Sequence, residues 1–245
     1  MGRLSVAEDL MRAMVLLIVS AATALLPSGS ARAQQSNQFW PEIDAYVQMT
    51  QNTRLFLIAS STREEDARAG AQIGANLDIF TKPWFKLKRL GIFELDPSVN
   101  RPLVLSVGYR HLMSANGQYQ ERILAQGTMN FPLKLGVLVS NRSRFDMTFT
   151  SGNFSWVYRD RLAAQKTYAI RGYRFTPFIR GELFFTSAFK KWTTTALSAG
   201  AVFPILKRYE LQPYYEHQNN TGTAPKSQVE SMGLQLKMYF RQNRQ

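Results

Sequence analysis

The groups in this sequence able to carry chemistry fall into two small sets. The first is a pair of histidines, His111 and His217. An imidazole can act as a general base near neutral pH, but it needs a nucleophile and an orienting group within reach. His217 opens the polar run HQNNTGTAPKS, where Thr221 and Ser227 carry hydroxyls and Asn219 stands two residues on. An amide at that position cannot attack an acyl carbon. Neither histidine has metal-ligand spacing, and there is no HExxH, no glycine-rich phosphate loop and no GxSxG elbow. Cysteine is absent, which removes thiolate metal sites, disulfides and a lipid-modified N-terminal cysteine. The expectation is therefore no catalytic residue, no metal and no cofactor.

The second set is larger and sits in unexpected company. YRFTPFIRGELFF, Tyr173 to Phe185, is apolar enough for a core, yet Arg174, Arg180 and Glu182 are set into it. Guanidinium and carboxylate groups in such surroundings either pair with one another or receive a charged solute. Which face they occupy decides between a wall and a core.

Alternation places them. Tyr173, Phe175, Pro177, Ile179, Gly181, Leu183 and Phe185 share one parity; Arg174, Thr176, Arg180 and Glu182 share the other, with Phe178 the exception. This is the period of a strand with one apolar face. AQIGANLDI (residues 71–79), LVLSVGYRH (103–111) and RFDMTFT (144–150) repeat it. Segments of this kind run near residues 39–50, 53–61, 70–80, 101–114, 118–131, 136–150, 154–166, 172–186, 191–205, 209–219 and 230–240. Polar turn material separates them, such as SANGQ, TSGN and SAFKK. Most are long enough for a tilted strand to cross a bilayer, which takes ~9–11 residues, whereas soluble sandwiches favour strands of ~5–6.

The N-terminus points the same way. Arg3 and Arg12 precede the apolar run Ala13 to Leu26, and Ala31-Arg32-Ala33 follows as a small-residue cleavage site. Residues 1–33 read as a cleaved secretory signal, leaving 34–245 as one domain. The full chain of 245 residues carries +13; removing Arg3, Arg12 and Arg32 against Glu8 and Asp9 leaves +12. Behind an export signal that charge suits anionic lipid, lipopolysaccharide or a small anionic solute, and excludes nucleic acid as the partner. No apolar stretch beyond the signal is long enough for a membrane helix.

A sheet in a bilayer must close on itself, because lipid offers nothing to unpaired backbone groups. The expected fold is all-β: an antiparallel transmembrane β-barrel in the outer membrane. Eleven segments are countable. Because bacterial outer-membrane barrels favour even numbers, the expectation is twelve strands, with ten as the alternative. WFKLKRLGIF, within Lys82 to Asn100, is the candidate for the missing crossing. Pro102, Pro132, Pro177, Pro204 and Pro213 should gather at the periplasmic rim, where a missing N–H is tolerated. Longer polar loops should lie on the outer side. Phe39, Trp40, Trp84, Trp156, Tyr158, Tyr173, Trp192, Tyr209, Tyr215, Tyr239 and Phe240 are near strand ends and are expected in the two interfacial belts.

With apolar residues outward, the lumen receives Arg110, Arg122, Arg142, Arg144, Arg159, Arg161, Arg174, Arg180, Glu182, Glu210 and Glu216, together with Glu42, Asp44, Arg54, Asp78, Asp146 and Lys237. Basic groups outnumber acidic ones. Such a lumen is either a paired network bracing the wall or a constricted, anion-leaning passage.

Three resemblances add to this. SMGLQLKMYF places Gly233 before Leu236, Met238 and Phe240, and resembles the C-terminal signal read by the barrel assembly machinery, though RQNRQ follows the aromatic. The region from His217 is similar to the His-x-Ser-Asn-Gly segment of outer-membrane phospholipase A and, more loosely, of lipid A deacylases. That implies an acyl-hydrolase alternative, with Asn219 where the serine should be. Finally, FWPEIDAYV, RLFLIAS, FSWVYRDRL, YRFTPFIRGELFF, ELQPYYEHQNN and GLQLKMYF, in order from about Phe39 to Phe240, resemble a family of Gram-negative outer-membrane barrels known as DUF2490. That resemblance implies an outer-membrane barrel and assigns no activity.

Overall fold

The computed structural model describes residues 34–64, 67–82, 95–222 and 226–241. The expected export signal, residues 1–33, lies outside them. The strands are β1 Gln34–Gln48, β2 Thr53–Glu64, β3 Ala67–Phe80, β4 Leu103–Ser114, β5 Tyr119–Pro132, β6 Val137–Thr150, β7 Asn153–Lys166, β8 Tyr168–Ile170, β9 Tyr173–Thr186, β10 Lys191–Leu206, β11 Tyr209–Asn220 and β12 Ser227–Arg241. Every segment read from alternation is one of these strands. Among the described residues the only helical pieces are single 3-10 turns at Pro97–Asn100 and Lys134–Gly136.

Among the described residues there are twelve strands, of which eleven form the wall. β8 is a three-residue strand paired only with the start of β9, outside the ring. The crossing expected within WFKLKRLGIF falls outside the described residues. An odd ring cannot close with antiparallel pairs alone, so one seam must be parallel. That seam is β1 against β12, in register from Gln34↔Ser227 to Gln48↔Arg241. The even-number expectation presumed an all-antiparallel ring, and the parallel seam removes the requirement.

The barrel inverts the usual arrangement of a soluble protein. Ile43, Ile73, Val107, Ile123, Leu162, Ile179, Leu183 and Met232 are exposed on the outer face, while Asp44, Arg110, Asp146, Thr176 and Gln212 are 3% exposed or less on the inner face. An apolar outer surface of this extent suits hydrocarbon rather than water.

Aromatic rings gather toward both ends. Phe145, Trp156, Phe185 and Trp192 pack in succession with centroids 5.1–5.7 Å apart near the β6–β7 and β9–β10 turns. Tyr168, Phe175 and Phe203 do so near the opposite end. Trp40 and Tyr239, expected in these belts, instead point inward: Trp40 lines the lumen, and Tyr239 is buried against Glu210. Their parity on β1 and β12 matches that of Glu42 and Lys237. Trp84 lies outside the described residues.

The five prolines do lie toward one end, the one where β12 finishes; Pro204 adjoins a register shift in β10. Loop length does not sort as expected. The longest connection, residues 81–102, is at that same proline-bearing end, and the far end carries tight turns such as Ser151–Gly152. Both residues of that turn have positive φ, 48° and 83°, the conformation a two-residue hairpin demands and glycine relieves.

Candidate functional site: a charged lumen

The inner face encloses a cavity of about 680 Å³. Its most charged wall is built by β4 to β9. Strand register sets Arg110 directly across from Arg122, Arg142 across from Arg161, and Arg144 across from Arg159. Like charges directly opposed on neighbouring strands weaken a sheet. Three such pairs in one barrel are poor wall construction unless something anionic balances them.

Part of the balance is internal. Glu182 on β9 accepts from Arg142 Nη2 at 2.8 Å, Arg159 Nε at 2.9 Å and Arg161 Nε at 3.0 Å. One carboxylate thus serves three guanidinium groups. Asp146 takes Arg144 at 2.6 Å and Arg159 at 3.9 Å. Among the described residues, three arginines have only neutral hydrogen-bond partners: Arg110 donates to Asn76 (2.6 Å), Arg122 to Thr148 (3.2 Å) and Arg180 to Gln212 (3.3 Å). Arg180 also lies over the Phe178 ring, 3.8 Å from its centroid, which explains why Phe178 breaks the polar pattern of its strand. Among the described residues, the charged groups lining the cavity number nine basic and six acidic.

The opposite wall carries two carboxylates on β1 and one cation, Lys237 of β12, directly across from Asp44. Glu42 and Asp44 on β1 share the amide of Gln235, which donates to them at 2.6 and 2.5 Å. Tyr46 donates to Asp44 at 3.0 Å. In a ring of eleven, β1 stands across the lumen from β6 and β7. The lumen is therefore polarised from β1 to the arginine wall.

At the proline-bearing end, the segment from Leu95 to Arg101 turns into the barrel. Asp96 accepts from Arg54 at 2.6 Å, Arg54 also holds Asp78, and Asn130 donates to the carbonyls of Ser98 and Arg101. Burial alone would raise the pKa of Asp96, but the Arg54 guanidinium and donation from Ser98 hold it below the ordinary carboxylate range.

Of the residues expected in the lumen, Arg110, Arg122, Arg142, Arg144, Arg159, Arg161, Arg180, Glu182 and Glu216 line the cavity. Glu210 is buried but set apart, receiving the Tyr239 hydroxyl at 2.8 Å. Arg174 is not in the lumen. It has the inward parity, but it pairs with Ala169 of β8, beyond the stretch where β9 joins the ring, and is exposed. Asp96 was missed, because it lies in a connection where alternation carries no signal. In the terminal strand, Leu236, Met238 and Phe240 share the outward parity, whereas Gly233 faces inward, where a Cβ would come within 2.0 Å of the Tyr214 ring.

The histidines are outside the lumen and share one arrangement. Glu121 accepts from the Tyr109 hydroxyl and lies 2.8 Å from His111 Nδ1. Glu230 accepts from the Tyr215 hydroxyl and lies 2.7 Å from His217 Nδ1. Each is a Tyr-x-His strand with a glutamate directly across from the histidine.

Comparison with known proteins now bears on this architecture. The family described as "Protein of unknown function (DUF2490)" matches residues 37–229. The chain belongs to the DUF2490 family. A search of curated proteins finds no match to it. Among solved structures, the DUF2490 barrel is similar to an anion-selective porin from Comamonas acidovorans, at 12% sequence identity and a TM-score of 0.38. The alignment covers 76% of this chain and 53% of the porin, so this barrel spans about half of the porin's length.

Proposed function

We propose that this DUF2490 protein is an outer-membrane barrel without catalytic activity, whose cationic lumen admits or holds small anionic solutes. The carrying observation is the set of directly opposed arginine pairs lining the lumen cavity. A wall built only for stability would alternate charges across strands. The outward apolar face, the aromatic rings toward both ends and the export-signal pattern support placement in the outer membrane, in contact with its lipids and lipopolysaccharide. The C-terminal strand supports delivery by the barrel assembly machinery.

The test is reversal potential in planar bilayers under a salt gradient, with the refolded chain. Anion-selective current that falls in Arg144→Gln and Arg159→Gln is the expected result. Cation selectivity, or selectivity indifferent to both substitutions, overturns the reading.

The acyl-hydrolase alternative draws on Glu230, which orients His217 as a general base requires. Among the described residues, however, no serine or threonine hydroxyl bonds to that ring. The same cluster recurs at His111, equally without a nucleophile. Duplication of this kind favours a role in the wall, and His217→Ala is expected to leave phospholipid hydrolysis at background.

A further inference from the structure

The anion reading leaves the β1 side of the lumen unexplained. A passage for simple anions gains nothing from carboxylates set across from its arginines, because they repel what the arginines attract. Asp44 is 1% exposed, lines the cavity, and leaves Oδ1 with no hydrogen-bond partner. On the facing wall, half-buried Arg142 leaves its Nε without one among the described residues. A buried polar atom left without a partner is costly, so each points to a group the protein itself does not supply. Asp44 on β1 lacks a donor and Arg142 on β6 lacks an acceptor, as does Gln212 Nε2 on β11.

From this polarity we infer that the solute is zwitterionic, its anionic group held at Arg142, Arg144, Arg159 and Arg161 and its cationic group at Glu42 and Asp44. This inference rests on the cationic-lumen reading and adds the second pole to it. The dimensions fit a small molecule. Eleven strands ~4.8 Å apart and tilted ~40° make a ring about 22 Å across, so side chains reaching in from both walls leave on the order of 10 Å between their charged tips. Two contacts of ~3 Å leave roughly 4 Å between the ligand's own charges, the scale of a short amino acid. Glu182 matches this picture: it occupies the arginine wall as a carboxylate would, and a solute carboxylate meets the same guanidinium groups beside it.

The experiment compares β-alanine with propionate, which shares its carbon chain and carboxylate and lacks the ammonium group. Apparent affinity is read from the ligand-concentration dependence of the unfolding midpoint of the full refolded chain in detergent. β-Alanine is expected to bind at least ~10-fold tighter than propionate, as a charge-assisted contact at a half-enclosed carboxylate implies. In Glu42→Gln and Asp44→Asn the ratio should collapse toward one, with folding of each variant checked by heat-modifiable migration. Propionate binding as tightly as β-alanine in the wild-type chain, or a ratio unchanged in both variants, overturns the zwitterion inference and leaves the anion reading standing. If neither compound shifts the midpoint, both fall.

Discussion

Removing the Glu182 charge is the sharpest perturbation of this lumen. The side chain is 6% exposed and is the shared partner of Arg142, Arg159 and Arg161. Nine basic and six acidic residues line the cavity, a net of +3; Glu182→Gln raises it to +4. Taking away one partner of a buried pair costs ~3–5 kcal/mol, because the remaining charge is stranded. Glutamine keeps one oxygen as acceptor at the same place, so the low end applies, and a loss of about 3 kcal/mol is expected in urea unfolding followed by gel migration. An anion that binds the folded state at 100 times its dissociation constant contributes about 2.7 kcal/mol, so sulfate at saturating concentration should restore most of the loss. Sodium chloride at matched ionic strength controls for screening. A Glu182→Gln chain within 1 kcal/mol of the wild type, or one that sulfate helps no more than chloride does, would refute the claim that the arginine wall requires an anion.

Three further outcomes follow from named contacts. Asp96→Ala removes the charge that ties the Leu95–Arg101 segment to Arg54, and single-channel conductance should rise above that of the wild type. Acid should act similarly. The pKa of Asp96 is lowered on folding, so its contribution is fully present above the ordinary aspartate value of ~3.9 and is lost as pH falls through the lowered value. The difference in conductance between the Asp96→Ala chain and the wild type should therefore persist from neutral pH to about 4 and vanish only below it. At Gly233, an added Cβ meets the half-buried Tyr214 ring, so Gly233→Ala should cost ~1–3 kcal/mol in unfolding, and Tyr214→Ser in the same chain should return most of it.

What the sequence could tell follows from the period of a strand. Alternation assigned every wall strand and the inward parity of Arg142, Arg144, Arg159 and Arg161, because the wall's outer face is apolar and its inner face charged, so a single-residue slip would exchange the two. The same reasoning failed wherever geometry beyond one strand mattered. Arg174 carries the inward parity, yet its neighbour is β8 and not the ring, and nothing local to YRFTPFIRGELFF says where the ring begins. The parallel seam was invisible because alternation is identical in parallel and antiparallel strands; only counting rules spoke, and they presumed the commoner seam. Asp96 escaped because a connection has no period. The opposition of arginines across β6 and β7 lies between these extremes. Their parity was legible, but their pairing needed the register, and it is the pairing that separates a braced wall from one that asks for a ligand. Opposed like charges are a stability cost only a cross-strand neighbour reveals. Under the zwitterion inference, the orphaned Asp44 oxygen on the far wall is where such a ligand would place its positive charge.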